Sequence, residues 1–253
     1  MNNIVKRVLH ALGLQVTLTS ARRQTLRALI DHVLSVDFRP RTVIDVGVER
    51  GTPELYGRFP GAILLLVEPL KEFEPVLQRI SRKYDATYIL AAAGAAPGTT
   101  TLNVRPSSLA GSSIYREQEG AYIDSYPRIV PVVTLDQVCT ERRLSGPYLI
   151  KVDVQGAELD VLDGASEVLA DTELVLLEVS LFQFFIGGSR FYDVVRYMKG
   201  QGFVVYDVIG GGNRPFDGAL GQIDIAFVKE DGIFRQSHTW EELPSAVDED
   251  WKA

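Results

Sequence analysis

One cysteine, three histidines and two tryptophans are all that 253 residues contain of these types. A single thiol, Cys139, excludes an internal disulfide, and so few histidines argue against a zinc centre. Nothing around Cys139 would stabilise a thiolate, so it reads as a small core or helix residue. Long apolar runs are also missing: no stretch approaches the roughly 18 residues of a membrane helix. Met1 to Leu14 has neither a long apolar core nor a small-residue cleavage site, so no leader is expected and cytoplasmic residence is. The segment Ile4–Leu9 is mildly amphipathic and basic. It reads as a helix packed on its own domain, with a membrane or partner-subunit contact as the alternative. There is no excess of positive charge either. With 26 Lys and Arg against 33 Asp and Glu, the formal net charge is −7, which argues against a nucleic-acid footprint over the whole surface. Arg22–Arg23 and Arg142–Arg143 read as solvated charges.

What is present is an alternation of apolar strands and helical stretches. Thr42–Val46 and Ala62–Val67 are apolar on both faces, the mark of a parallel sheet covered by helices. Further core strands are expected at Thr87–Ala91, Pro147–Asp153, Glu173–Val179, Phe203–Asp207 and Ile223–Val228, with helices over Leu70–Lys83, Ala157–Leu169 and Arg190–Gly200. Seven strands with helical crossovers predict a doubly wound, Rossmann-like α/β domain with helices on both faces. The expected organisation is a helical extension over residues 1–38, the α/β domain over 39–232 and a tail over 233–253. Within the domain, residues 98–133 form an insertion. Its ends, Thr99–Val104 and Arg128–Val133, read as paired strands, and Tyr115, Tyr122 and Tyr126 lie between them. Such a loop on a rigid scaffold suits substrate contacts, with Ser107 to Arg128 the stretch that helps choose an acceptor. The run Gly210–Asn213 reads as a flexible hairpin connection.

Open parallel sheets bind ligands at the carboxyl ends of their strands, and this chain puts carboxylates and glycines there repeatedly. Asp45 ends the first strand, ahead of Gly47 and Gly51, where glycine permits a tight turn and close backbone approach. The Gly-x-Gly-x-x-Gly spacing of nicotinamide-binding domains is missing. Glu68 follows the second strand, placed to accept both hydroxyl hydrogens of a ribose, each charge-assisted bond contributing roughly 1.5–3 kcal/mol. The competing reading makes Glu68 a surface residue before a helix begun by Pro69. Asp153 ends the fourth strand and Glu178 the fifth.

Together with Lys151-Val152-Asp153-Val154-Gln155-Gly156-Ala157-Glu158, these features resemble the FkbM family of methyltransferases, from about Arg41 to Lys229. Val132–Asp136 and Leu177–Glu178 fit the same pattern. The resemblance implies a class I, seven-stranded methyltransferase fold, S-adenosylmethionine as methyl donor with S-adenosylhomocysteine as product, and a hydroxyl acceptor on a sugar, glycan or secondary metabolite. It places Asp45, Gly47, Val48, Glu49 and Gly51 along the methionine and ribose, Glu68 and Pro69 at the ribose, Ala92, Ala93 and Gly94 near the adenine, and Asp153 and Val154 facing the methyl group. The family often has Ala-Asn where this chain has Val48-Glu49, so Glu49 either meets the donor's ammonium group or points to solvent.

An alcohol is a poor nucleophile, and a general base contributes roughly 10²–10⁴-fold. Asp153 is the first candidate, Glu178 the second and Glu158 the third, the last also suited to bracing a helix start. Lys151 is expected to orient Asp153 or another carboxylate. His10, His32 and His238 read as ordinary helix or surface residues. No metal is expected, magnesium on the strand-end carboxylates being the alternative. Two other functions compete, a nicotinamide-dependent oxidoreductase and a non-catalytic interaction module. The N-terminal helices, to about Asp37, are expected to form either a homodimer contact or a cap over the site.

Overall fold

The computed structural model describes residues 23–118 and 124–239. The readings of Ile4–Leu9, His10, Arg22, Tyr122 and the last fourteen residues lie outside these ranges. Helix α1 (Leu26–Ser35) opens the described chain and is capped by the Thr25 side chain, which accepts from the Ala28 N–H. Strands β1 (Thr42–Val46), β2 (Ile63–Val67) and β3 (Ala86–Ile89) follow, with helix α2 (Glu74–Lys83) between β2 and β3. After the inserted segment come α3 (Leu135–Glu141), β7 (Tyr148–Val152), α4 (Glu158–Asp163), α5 (Ser166–Ala170), β8 (Thr172–Ser180), α6 (Phe191–Gly200), β9 (Phe203–Asn213) and β10 (Leu220–Lys229).

The seven long strands form one sheet in the order β3-β2-β1-β7-β8-β10-β9, in which only β10 runs against the rest. Side chains alternate across a strand, so runs apolar at every position build two cores. Ile44, Ile150, Val175 and Phe227 face α3 to α6, whereas Val43, Leu149, Leu174 and Val228 face α1 and α2. Among the described residues, no helix is long and apolar enough to cross a membrane.

The insertion is a second sheet. Strands β4 (Ala92–Ala93), β5 (Gly98–Val104) and β6 (Tyr126–Val133) lie in the order β4-β6-β5, with β5 and β6 antiparallel as the sequence predicts. Leu102, Val104 and Val130 pack with Leu70 and Phe73 in a small core of their own. This seats the insertion against the segment that follows β2.

Two expectations are corrected. The helix expected over Ala157–Leu169 is two helices, broken at Gly164–Ala165. Gly164 crosses the backbone of Gly94 so closely that a Cβ would meet the Gly94 carbonyl oxygen at 2.1 Å. Asp136 then accepts from the N–H groups of Glu167 and Val168, which caps the restarted helix. The glycines at 210–212 are not the hairpin connection but part of β9. Gly210 and Gly211 have φ of 59° and 116°, the pairing with β10 shifts register beside them, and a Cβ on Gly210 would meet Asp224 Oδ2 at 2.4 Å. Glycine lets this strand pass an acidic side chain of its neighbour.

Replacing Gly164 with alanine should force two backbones apart and destabilise the protein by about 1–3 kcal/mol, as overpacking does. Urea unfolding measures this. An unchanged midpoint and slope would contradict the close crossing.

Candidate active site

The strand order reverses between β1 and β7, and the chain leaves both strands in glycine-containing turns. Gly47 takes a φ of 78°, its N–H donates to Val67 O at 2.9 Å, and the Asp153 N–H donates to Val46 O at 3.0 Å. A Cβ on Gly47 would lie 1.9 Å from the Asp153 carbonyl oxygen. The two turns therefore interlock, and only glycine permits it. Beside them opens a cleft lined by Gly47, Glu49, Glu68, Pro69, Asp153 and Val154, and by Glu178. Its far wall is apolar, formed by Leu70, Phe73, Ala92, Ala93, Leu102 and Ile114 from the region where the inserted sheet meets the domain.

Glu68 is almost wholly buried. Its carboxylate accepts from the Glu49 N–H at 3.0 Å and the Leu70 N–H at 2.9 Å, which ties the β1 and β2 turns together. Burial pushes this carboxyl up to about 7, against those two hydrogen bonds, which pull it down. Each of its oxygens keeps lone-pair capacity toward the cleft.

Asp153 and Glu178 form the polar end. The Gln155 side-chain amide donates to both, to Asp153 Oδ1 at 3.2 Å and to Glu178 Oε2 at 2.7 Å, and Gln222 donates to the same Glu178 oxygen at 2.9 Å. Gln155 is held in a left-handed conformation, φ 56°, which few non-glycine residues adopt. Strand β10 brings Asp224 opposite Glu178. Lys151 lies 3.4 Å from Asp153 and 3.5 Å from Asp45. Burial, then the charges of Asp153 and Asp224, push Glu178 up to about 8, and burial with Asp153 raises Asp224 to about 6. Burial alone would lower Lys151, but Asp45 and Asp153 outweigh it and hold its ammonium well above the usual lysine range. Among the described residues, no group of three or more His, Cys, Asp or Glu is arranged to hold a metal ion.

The structure thus brings Gly47, Glu49, Glu68, Pro69, Ala92, Ala93, Asp153, Val154 and Glu178 to one cleft, and sets the other expected residues behind its wall. Asp45 is fully buried, accepts from the hydroxyls of Thr52 and Tyr56, and meets Lys151 with its other oxygen. It braces the turn and does not line the cleft. Val48 packs in the core under α1 and α2. Gly51 faces the Tyr56 ring and Ile80. Glu158 accepts from the Gly156 N–H at 2.9 Å and the Ser189 hydroxyl at 3.1 Å, so its bracing role is the one observed. Tyr115 donates to Asp160, and Tyr126 lies under the Arg128 guanidinium, both outside the cleft lining. Gln155, Gln222 and Asp224 had not been singled out from the sequence. Gln155 lay inside the quoted motif, but its role depends on a backbone conformation and a partner 23 residues on.

These values set the pH dependence of stability. Glu68, Glu158, Glu178 and Asp224 all have raised values, so the folded state keeps protons that the unfolded chain has released. Their contribution is complete in the acid range and is lost as pH climbs through the folded values. His32, lowered by burial and by Arg23, acts in the opposite sense below its ordinary value. The unfolding free energy should fall between about pH 5 and about pH 8. Urea titrations across that range check it, and a flat or rising profile would contradict the buried-carboxyl account.

The model of the methyltransferase FkbM domain matches residues 45–205. No curated protein matches. Among solved structures, the chain is similar to the 1,6-didemethyltoxoflavin-N1-methyltransferase of Burkholderia thailandensis, at 12 % identity over 80 % of this chain and 76 % of that one, TM-score 0.42. It is similar to the magnesium protoporphyrin IX methyltransferase of Synechocystis, at 12 % identity over 90 % and 85 %, TM-score 0.42. A third is the precorrin-6y C5,15-methyltransferase of Geobacter metallireducens, at 10 % identity over 81 % and 86 %, TM-score 0.41. The matched segment runs from the end of β1 into β9 and includes both interlocked turns, Glu68 and the carboxylate pair, and on that evidence the chain belongs to the FkbM family of S-adenosylmethionine-dependent methyltransferases.

Proposed function

We propose that the chain methylates a hydroxyl oxygen on a small-molecule or glycan acceptor, with Asp153 as the base. The observation that carries this reading is the Asp153–Glu178 pair on the cleft wall, bridged by one amide. Hydroxyl oxygens need a proton acceptor beside them, and carboxylates are the basic groups this cleft offers.

The cleft's chemistry fits the family's donor. Glu68 supplies a buried carboxylate for two ribose hydroxyls, and Ala92, Ala93, Leu70 and Phe73 supply an apolar wall for a purine. Gly47 and Glu49 line the stretch between these groups and Asp153. When bound, S-adenosylmethionine supplies an electrophilic methyl group on a positively charged sulfur.

The chain's own residues then divide the work. Lys151 lies against the Asp153 carboxylate, and Gln155 fixes its orientation. Burial and the neighbouring charges of Asp153 and Asp224 favour the protonated form of Glu178. Asp153 would take the acceptor's hydroxyl proton as the oxygen gains the methyl carbon and the methyl–sulfur bond breaks, leaving S-adenosylhomocysteine as the other product. Holding the hydroxyl in line gives most of the advantage, since well-oriented pairs gain about 7–11 kcal/mol. The reading of a non-catalytic module has this complete carboxylate and amide set against it.

Calorimetry with S-adenosylhomocysteine tests the donor half. Glu68→Ala should weaken binding by about ten- to a hundredfold, the loss of one or two charge-assisted hydrogen bonds; an unaltered dissociation constant would reject the ribose role. Asp153→Asn tests the acceptor half. Turnover should fall by about 10²–10⁴-fold while affinity for S-adenosylhomocysteine stays within about twofold. Unchanged turnover would remove Asp153 from the base role.

A further inference from the structure

A second, larger cleft adjoins the first and shares Gln155 with it. One side is the β9–β10 hairpin, with Asn213, Arg214, Phe216 and Gln222. The other is the segment after β8, with Gln183, Phe184 and Phe185, and it meets Arg105, Glu117 and Gln118 of the insertion. The floor is fastened together: Gln118 N–H donates to Phe184 O at 2.8 Å, Ile186 N–H to Arg116 O at 2.8 Å, and Glu117 bridges Phe185. Its volume is about 710 Å³, within the usual range of about 300–1,000 Å³ for ligand sites. Of its lining residues, Gln155 and Gln222 both donate to Glu178, which lines the first cleft.

The charges in the cleft are already matched. Arg105 pairs with Glu117 at 2.9 Å, and Arg214 pairs with Asp217 at 3.0 Å. An anionic acceptor would meet no uncompensated cation there, and a cationic one no free carboxylate. What is left is amide and ring. Carboxamides both donate and accept, which suits hydroxyl groups that do the same. Phe216 is 88 % exposed, an unfavourable place for a large apolar ring unless something covers it. It is not adrift: the Arg214 guanidinium lies 5.4 Å from its centroid and 4.1 Å from that of Phe182. Phenyl faces held upright beside amides suit the C–H faces of a sugar ring.

Resting on the methyl-transfer reading above, we propose that this second cleft is the acceptor groove. Its ligand is a neutral saccharide whose ring packs on Phe216 and whose hydroxyls meet the amides, one of them being delivered past Gln155 to Asp153. Phe216 and Arg214 are then specificity-determining residues remote from the donor.

The test uses the full chain loaded with S-adenosylhomocysteine on a glycan array of neutral and acidic saccharides. Retained glycans are then titrated against the wild type, Phe216→Ala and Arg214→Ala. Retention on neutral glycans is expected, weakened about tenfold in each variant, with S-adenosylhomocysteine affinity unchanged. Retention on acidic glycans alone, or on none while S-adenosylhomocysteine binds, overturns the groove and leaves methyl transfer standing. Neutral glycans held equally well by both variants overturn its location. Neutral glycans lost from the variants in a protein that does not bind S-adenosylhomocysteine would keep the groove and sink the methyl-transfer reading.

Discussion

The carboxyl edge of the central sheet gathers Asp45, Asp153 and Asp224 around the ammonium of Lys151, with Glu178 opposite Asp224 and joined to Asp153 through Gln155, and the site depends on how that charge is balanced. Burial favours the neutral form of a carboxyl and a neighbouring carboxylate adds to that, whereas a cation opposes it. The structure resolves this by division. Asp45 is fixed by Thr52, Tyr56 and Lys151. Glu178 is raised to about 8 by burial and by the charges of Asp153 and Asp224, and Asp153 keeps Lys151 and Gln155 as partners. A base with an adjacent cation is weaker than a free one, but its orientation is fixed. Positioning is the larger gain for a displacement that needs three atoms in line.

The backbone makes that balance possible. Parallel β1 and β7 put Asp45 and Lys151 in register. The interlocked turns at Gly47 and Asp153 then set the carboxylate of Asp153 beside the cleft. Antiparallel β10 brings Gln222 and Asp224 across to Glu178, one as a hydrogen-bond donor and the other as a like charge. The last strand of the described chain, which runs against the others, thus supplies part of the environment that raises Glu178. The same reversed strand leads back to the β9–β10 hairpin that walls the second cleft.

Much of this was legible in the chain. Val43–Ile44 and Leu149–Ile150 announce a sheet covered on both sides, because every position is apolar, and Glu68 and Asp153 stand out because they end such runs. The short motif around Lys151–Glu158 identified the family. Other features depend on contacts far apart in sequence. Gly164 reads as a tolerated glycine within a helix until the backbone of Gly94 is placed beside it. Glycines 210–212 read as a connection until Asp224 is found beside Gly210. Asp45 looked like a ligand residue because it ends a strand; Tyr56 and Thr52, which claim it, show no pattern of their own. Gln155 joins two acids only because its backbone turns left-handed. Strand ends can be read from composition, whereas side-chain partnerships across the sheet cannot.

The central claim is that the chemistry at Asp153 is methyl transfer to oxygen. The direct measurement is carbon NMR of the product formed from S-adenosylmethionine carrying a ¹³C-labelled methyl group, with hydroxylated acceptors offered to the intact protein. The account predicts that the label leaves the donor and appears as a methoxyl carbon, at a rate about 10²–10⁴-fold lower in Asp153→Asn. A label found on nitrogen or carbon, or one that never leaves the donor while S-adenosylhomocysteine binds, would contradict it.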